Sequence, residues 1–273
     1  MAYKRILTIQ DISCLGQCSA TVALPVLSAC GLETCILPTA LLSTHTGGFE
    51  KPAITGLSQS AAAICRHWKE QNLVFDAIYT GYLGSIDAIR VTQKAIAELL
   101  VPGGAVIVDP AMADHGRLYS GFDEEYVRAM SQLCRDADMV IPNITEAAML
   151  SGLPYEEKLT EDYIEKLLVG MNHPCVILTG AATDEAKTGV SIFRDGKRYD
   201  YRHRKIGRSY HGTGDLFASA FTGAFLQGKE LPEAARIGAD TVCLAIENTV
   251  PHPEHWYGVR FETAIPWLTQ QLF

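Results

Sequence analysis

The chain has no Gly-x-x-x-x-Gly-Lys-Ser/Thr loop and no Gly-x-Gly-x-x-Gly after its first strand-like segment. The first absence argues against a Walker-type nucleotidase and the second against a dinucleotide-binding fingerprint. No apolar stretch approaches the ~18 residues of a membrane span. Its eight cysteines include no CxxC pair. Cys30, Cys35, Cys65 and Cys243 sit in apolar runs, so the cysteines read as reduced, mostly buried thiols. Cys14 and Cys18 lie instead in a Gly-containing loop, where a structural role is expected over a redox one. No linker, low-complexity segment or internal repeat divides the sequence, which predicts one domain over 1–273. Positive charge is in deficit: 23 Lys and Arg against 31 Asp and Glu give a net charge of −8, with a pI near 5.5. That argues against nucleic acid or a membrane surface as partner. Met1-Ala2-Tyr3-Lys4-Arg5 runs directly into Ile6-Leu7-Thr8-Ile9 without a signal-peptide layout, so the expected compartment is the cytoplasm.

What is present is a 273-residue chain, 48% hydrophobic, in which strand-like and helix-like segments alternate. Strands are expected at Ile6–Ile9, Thr34–Leu37, Phe75–Thr80, Ala105–Asp109, Met139–Ile141 and Cys175–Thr179. Helices are expected at Ser19–Ala29 (Pro25 a kink or boundary), Leu57–Lys69, Ile86–Leu100, Asp123–Cys134, Glu146–Ser151, after Gly214, Pro232–Glu247 and Phe261–Leu272. Pro102-Gly103-Gly104 reads as a turn, and Gly189–Tyr201 as a hairpin around Asp195-Gly196. Parallel strands buried on both sides read as unbroken apolar runs, as several of these do. The fold class predicted is α/β, with a central mostly parallel sheet and helices on both faces. Ligands in such folds bind beyond the carboxyl ends of the strands. Asp11, Ser13, Thr39, Ser43, His45, Thr46, Gly81, Tyr82, Asp109, Asp114, Asn143, Glu146, Thr179 and Asp215 fall at or near those ends.

The most informative stretch is His211-Gly212-Thr213-Gly214-Asp215, followed by Leu216-Phe217-Ala218-Ser219-Ala220-Phe221. A Gly-rich turn opening a helix offers N–H groups and the positive end of a dipole to phosphate. An acidic residue in that first turn can take a proton from an attacking hydroxyl. Together they suit phosphoryl transfer to an alcohol; the plainer reading is an ordinary capped helix.

Six segments then occur in order: Ile9-Gln10 with a Gly-containing loop, Pro38–Gly47, Thr80-Gly81-Tyr82-Leu83-Gly84-Ser85, Asp109-Pro110-Ala111-Met112-Ala113-Asp114, Pro142-Asn143-Ile144-Thr145-Glu146, and His211–Asp215. In this combination the chain resembles the pyridoxal (vitamin B6) kinase branch of the ribokinase superfamily over nearly its whole length. The resemblance implies a single-domain ribokinase-like sandwich that phosphorylates the 5′-hydroxymethyl group of pyridoxal, pyridoxine or pyridoxamine. It makes Asp215 the general base and the Gly212–Asp215 backbone, with Thr213 and Gly214, the anion hole. It puts Asn143, Thr179, Gly180 and Thr213 at the nucleotide, and Asp109, Asp114 and Glu146 near the metal. Ser43, His45, Thr46 and Tyr82 would line the vitamin pocket, joined by Asp11 and Ser13. The implied cofactor is magnesium with ATP, and the implied assembly a homodimer. In the family a Thr that serves a monovalent cation often precedes the residue matching Pro142; here it is Ile141, which leaves that ion open.

The sequence departs from the pattern elsewhere too. A serine often follows the Ile-Gln pair, whereas this chain has Asp11, with Ser13 two residues on. Asp11 either meets a positive group of the substrate, the ring nitrogen or the aminomethyl of pyridoxamine, or caps the following loop. Ala113 stands where Gly is expected, and the following loop, His115–Tyr119, is short. Asn143 and Glu146 also read as a capping box. His45 and Tyr82 read equally as structural, and His252 with His255 as loop residues rather than metal ligands. The basic run Arg202, His203, Arg204, Lys205 and Arg208 is either a solvated strand or an ATP contact. Alternative functions are a kinase for another small alcohol, such as a hydroxymethylpyrimidine or a sugar, and a non-catalytic B6-binding regulatory protein.

Overall fold

The computed structural model describes residues 3–207 and 210–273. Two compact units result, one formed by 1–105 with 206–273 and the other by 106–205. In chain order the first unit begins with β1 (Arg5–Ser13), α1 (Ala20–Ala29), β2 (Glu33–Leu42), β3 (Ile54–Gly56), α2 (Ser58–Glu70), β4 (Phe75–Thr80) and α3 (Ile86–Leu99). β5 (Leu100–Val108) carries the chain onward, followed by β6 (Ala113–Asp114), β7 (Arg117–Leu118), α4 (Glu124–Arg135), β8 (Met139–Val140), α5 (Ile144–Ser151) and α6 (Glu161–Gly170). β9 (Cys175–Thr179), β10 (Lys187–Arg194) and β11 (Lys197–Arg204) complete the second unit. The chain then returns to the first unit for α7 (Thr213–Leu226), α8 (Leu231–Thr249) and α9 (Ile265–Leu272).

In the first unit β1 lies between β2 and β4, parallel to both, and β3 adds antiparallel to β2. Ile6, Leu7 and Ile9 of β1 are fully buried, as a strand covered on both sides requires. α1, α7, α8 and α9 pack as one group, and α2 with α3 as another. α7 is apolar over most of its length because Leu216 to Ala224 is buried all round. In the second unit β5, β8 and β9 run parallel, and β10 and β11 extend the ladder antiparallel.

Several elements depart from the sequence reading. Pro102-Gly103-Gly104 is not a turn but lies inside β5, with Gly103 taking φ 76° within the strand. Pro25 sits inside α1 without ending it. The final helix is split: Phe261–Thr263 forms a 3₁₀ turn, and α9 starts at Ile265 with a proline in its first turn. β1 runs on through Asp11 and Ser13, which therefore lie in the strand rather than after it. α6, absent from the sequence reading, is capped by Thr160, whose hydroxyl oxygen accepts from the Tyr163 N–H at 3.1 Å. No disulfide joins any of the eight cysteines. Arg208 of the basic run lies outside the described residues.

Candidate active site

In the first unit the end of β1, the start of α7 and the loop before α1 converge. The β1–β2 register shifts between Gln10 and Ile12, a bulge that re-aims the side chains around it. Asp11 and Ser13 are both buried. The Asp11 N–H donates to the Tyr82 carbonyl at 3.1 Å, which ties the β1 terminus to the Gly81-Tyr82 turn. The Asp11 carboxylate accepts from the Ser13 hydroxyl at 2.9 Å. Burial pushes its pKa up, and the nearby hydroxyls of Ser19 and Ser13 oppose that rise.

α7 opens at Gly212, in the left-handed conformation (φ 77°, ψ 0°), and no side chain caps it. The first N–H groups of a helix lack intrahelical partners, so this end is suited to an anion. The two glycines of the motif differ in what they do. A Cβ at Gly212 would overlap the Gln17 carbonyl oxygen, whereas one at Gly214 would meet nothing within 4 Å, and Gly214 is not in the left-handed region. Gly212 is thus demanded by the protein, while the space at Gly214 stays open beside the helix terminus. The Thr213 hydroxyl turns back to the Tyr210 carbonyl at 3.1 Å.

Asp215 lies in the first turn of α7 and keeps only a narrow exposed edge. Burial pushes its carboxyl up to about 7, the backbone N–H of Ser19 opposes this, and the charge of Asp11 adds to it. A carboxylate that titrates near neutrality fits a general base.

His45 is buried. Its Nδ1 accepts from the Gly47 N–H at 3.1 Å, and its Nε2 stands 2.6 Å from the Tyr257 carbonyl oxygen. That pattern fixes the neutral tautomer with the proton on Nε2; burial lowers its pKa, consistent with the neutral form. Its ring packs 5.0 Å from those of Phe49 and His211. A Cβ at Gly47 would overlap the His211 ring. Ser43 and Thr46 are exposed on the same loop, and Ser43 Oγ accepts from the Ala53 N–H at 3.0 Å. Tyr82 is half-buried.

The second unit holds a separate polar network. Asn143 caps α5 in a reciprocal box: its Oδ1 accepts from the Glu146 N–H at 3.0 Å, and Glu146 Oε2 accepts from the Asn143 N–H at 2.9 Å. Glu146 Oε1 also accepts from the N–H groups of Met112 (3.1 Å) and Ala113 (3.4 Å). Asn143 Nδ2 donates to the Ala113 carbonyl at 2.8 Å. The capping reading of this pair is therefore correct, and the pair also clamps the segment between Asp109 and Asp114. Glu146 is buried, and burial raises its pKa against the pull of these donors. Asp109 is buried at the end of β5; Asp114 is exposed and accepts from the His115 N–H at 2.8 Å. Thr179 donates its N–H to the Pro142 carbonyl at 2.9 Å, and Gly180 follows it at φ 74°. Asn143→Ala removes the cap and the Ala113 bond together. It is expected to lower stability by about 1–3 kcal/mol, read as a lower urea midpoint with unchanged m-value.

Among the described residues no group of three or more His, Cys, Asp or Glu forms a ready metal cage. Asp109, Asp114 and Glu146 offer oxygen only, and Glu146 already spends both oxygens on backbone N–H groups. Such a set fits magnesium, which keeps its waters and takes ligands from phosphate. His252 pairs with Glu254 at 3.1 Å, its ring 6.3 Å from that of His255. Arg202 is used inside the sheet, reaching Asp200 and Ser191 at 2.9 Å and the Val190 carbonyl at 2.7 Å. Ser19 and Gln17 were not singled out in the sequence. A serine before an Ala-rich helix reads as an ordinary cap, and nothing local announces its φ of 54°.

The phosphomethylpyrimidine kinase family model matches residues 24–259. Pyridoxine kinase of Bacillus subtilis is 29% identical over 180 residues, an alignment covering 64% of this chain and 65% of that protein. The pyridoxine/pyridoxal/pyridoxamine kinase of Bordetella bronchiseptica is 27% identical, with 89% of each chain covered. A Bacteroides thetaiotaomicron chain crystallised with pyridoxal superposes with TM-score 0.92 at 33% identity, covering 98% of this chain and 96% of that one. Pyridoxal kinase from Lactobacillus plantarum gives 0.91 at 29% identity, with 98% of both chains covered. The fold is thus the ribokinase-like α/β fold with a mostly parallel central sheet, and the chain belongs to the phosphomethylpyrimidine kinase family.

Proposed function

We propose that this protein is an ATP-dependent kinase for the 5′-hydroxymethyl group of a B6 vitamer: pyridoxal, pyridoxine or pyridoxamine. The observation that carries the reading is Asp215, a carboxyl pushed up to about 7 in the first turn of a helix whose N-terminus is left uncapped at Gly212. Asp215 takes the proton from the vitamin's hydroxyl. The oxygen attacks the γ-phosphorus of ATP, the bond to the β,γ-bridging oxygen breaks, and ADP leaves. The N–H groups from Gly212 to Asp215 receive the charge on the transferred group.

Asp11, Ser13, Ser43, His45, Thr46 and Tyr82 form the vitamin side. His45 acts by shape, because both ring nitrogens are taken up by backbone. Asn143, Thr179, Gly180 and Thr213 serve the nucleotide. Magnesium arriving with ATP would be held by Asp109 and Asp114, Glu146 acting through water, and it supplies charge neutralisation to the phosphates. The family model's span across residues of both units supports one kinase domain over 1–273. The cytoplasm, where MgATP is abundant, is its proposed location. A homodimer is also part of the proposal, supported by exposed Leu41 and Ile54 on the β2–β3 pair.

The family description favours one second reading, a hydroxymethylpyrimidine kinase. Mass spectrometry of products formed from MgATP and each alcohol separates the two. We expect a monophosphate of the vitamers, made faster than that of hydroxymethylpyrimidine; the reverse order would select the second reading.

A further inference from the structure

The chain between α8 and α9 presses on the site at two backbone positions. Its base is clasped by Thr249, the last residue of α8. The Thr249 carbonyl accepts from the His252 N–H at 2.8 Å, and its buried hydroxyl accepts from the Arg260 N–H at 2.9 Å. Residues 250–260 therefore form a compact loop whose ends are held together. At its tip the Tyr257 carbonyl accepts the Nε2 proton of His45 at 2.6 Å. His45 in turn accepts from the Gly47 N–H and packs its ring on His211, the residue before Gly212. The next residue of the loop, Gly258, lies against Gln17: a Cβ there would come 2.6 Å from Gln17 Cβ and 3.1 Å from its backbone nitrogen. The Gln17 carbonyl oxygen is the atom seated against Gly212, and its Nε2 donates to Glu262 Oε1 at 3.1 Å. The contacts close a circuit from Gly212 through Gln17, Gly258, Tyr257, His45 and His211 back to Gly212. Phe49 and Trp256, their rings 4.8 Å apart, join the vitamin loop to the same tip.

We propose that the 250–260 loop is a positioning element for phosphoryl transfer, with Gly258 and Tyr257 as its positioning residues. Through Gln17 it sets the place of the Gly212 turn, and through His45 the place of the vitamin loop, so that hydroxyl and phosphate meet in one register. This rests on the reading of the Gly212 turn as the phosphate cradle. No side chain caps that turn, so its place is set by what packs around it. The Thr213 hydroxyl bonds the Tyr210 carbonyl within the same stretch of chain, which cannot fix the turn against the vitamin loop. The Gln17 and His45 contacts come from other segments and can. A misplacement of about 1 Å in such an arrangement costs on the order of 10²-fold in rate, even when its origin lies far from the chemistry.

The test is Gly258→Ala, read two ways: kcat and KM for vitamer and MgATP, and the amide ¹H–¹⁵N shifts of Gly212 and Gly214 in the unliganded protein. The added methyl displaces Gln17 and with it the carbonyl seated on Gly212. Both glycine amides are expected to shift, and kcat to fall by about tenfold or more. The vitamer KM is expected to change by less than about threefold, because the Tyr257 carbonyl still holds His45. Thr249→Val removes the acceptor of the Arg260 N–H at the base of the loop and should lower kcat in the same sense. Thr249→Ser keeps the hydroxyl and should restore it. A folded Gly258→Ala protein with wild-type kcat and unmoved glycine amides overturns the proposal. So does a lowered melting temperature with kcat unchanged below it, which is what a merely structural loop would give. Absence of vitamer turnover by the wild type would overturn the reading of the site and this role together, whereas wild-type turnover that Gly258→Ala leaves intact overturns this role alone. Should Gly258→Ala fail to fold by circular dichroism, the Thr249 pair decides by the same two readouts.

Discussion

Asp215→Asn is expected to lower kcat by about 10²–10⁴ and, at pH 8, to raise the melting temperature. The two effects have one cause. The carboxyl is at about 7 in the folded protein against an ordinary 3.8, chiefly because burial disfavours its charge. The folded state therefore holds a proton that the unfolded chain has given up between those two values. Stability falls as the pH rises through that window, and above about 7 the full penalty of a buried charge is present. Its size is on the order of 1–4 kcal/mol. Asn is neutral throughout. Its stabilising effect should be greatest at pH 8 and fade towards pH 4. Thermal melts at both pH values, with kcat measured on the same preparations, check this. A variant with near wild-type kcat, or one less stable than wild type at pH 8, contradicts the assignment. A protein that gains stability by losing its base exemplifies the cost of keeping a charge where chemistry needs it.

The paired glycines give the second large effect, and their substitutions should fail differently. Gly212→Ala places a Cβ on the Gln17 carbonyl oxygen at a φ of 77°. The turn must move, and the helix terminus moves with it. A stability loss of about 2–4 kcal/mol is expected, with kcat/KM reduced at least about 10²-fold, as when oxyanion donors are displaced. Gly214→Val meets no protein atom within 4 Å. It should fold with a melting temperature close to wild type, since its helical cost is below about 1 kcal/mol. Its side chain would instead crowd the bound phosphate, raising KM for MgATP and lowering kcat by about tenfold or more. A Gly214→Val enzyme with unaltered MgATP kinetics would show that this helix terminus does not cradle phosphate. A stable, active Gly212→Ala enzyme would remove the steric role of the turn.

The alternation of strands and helices could be read from the chain because parallel strands covered on both sides leave apolar runs, such as Val106-Ile107-Val108 and Cys175–Thr179, that composition reveals directly. Pro102-Gly103-Gly104 misled for the converse reason. Glycine and proline signal a turn locally, yet these residues extend β5. α6 carried a legible start at Thr160 with Glu161 and Asp162 in its first turn, which helix-capping rules could have found. The site was legible where it depends on residue type: the Gly-x-Gly-Asp turn at α7 and the Asn-x-x-Glu box at α5. It was not legible where it depends on long-range packing. The bulge around Asp11, the positive φ of Ser19 and the separate duties of Gly212 and Gly214 are set by packing, with Tyr82 and Gln17 among the neighbours distant in the chain.

The most direct measurement of the account is ADP release from MgATP by the wild-type protein with pyridoxal, pyridoxine, pyridoxamine, hydroxymethylpyrimidine and ribose, each at several concentrations. The account predicts saturable turnover with at least one B6 vitamer, at a kcat/KM at least about tenfold above those for the pyrimidine and the sugar, a gap of about 1.4 kcal/mol in transition-state binding. Turnover with none of the vitamers, or a preference for hydroxymethylpyrimidine or ribose, would contradict it.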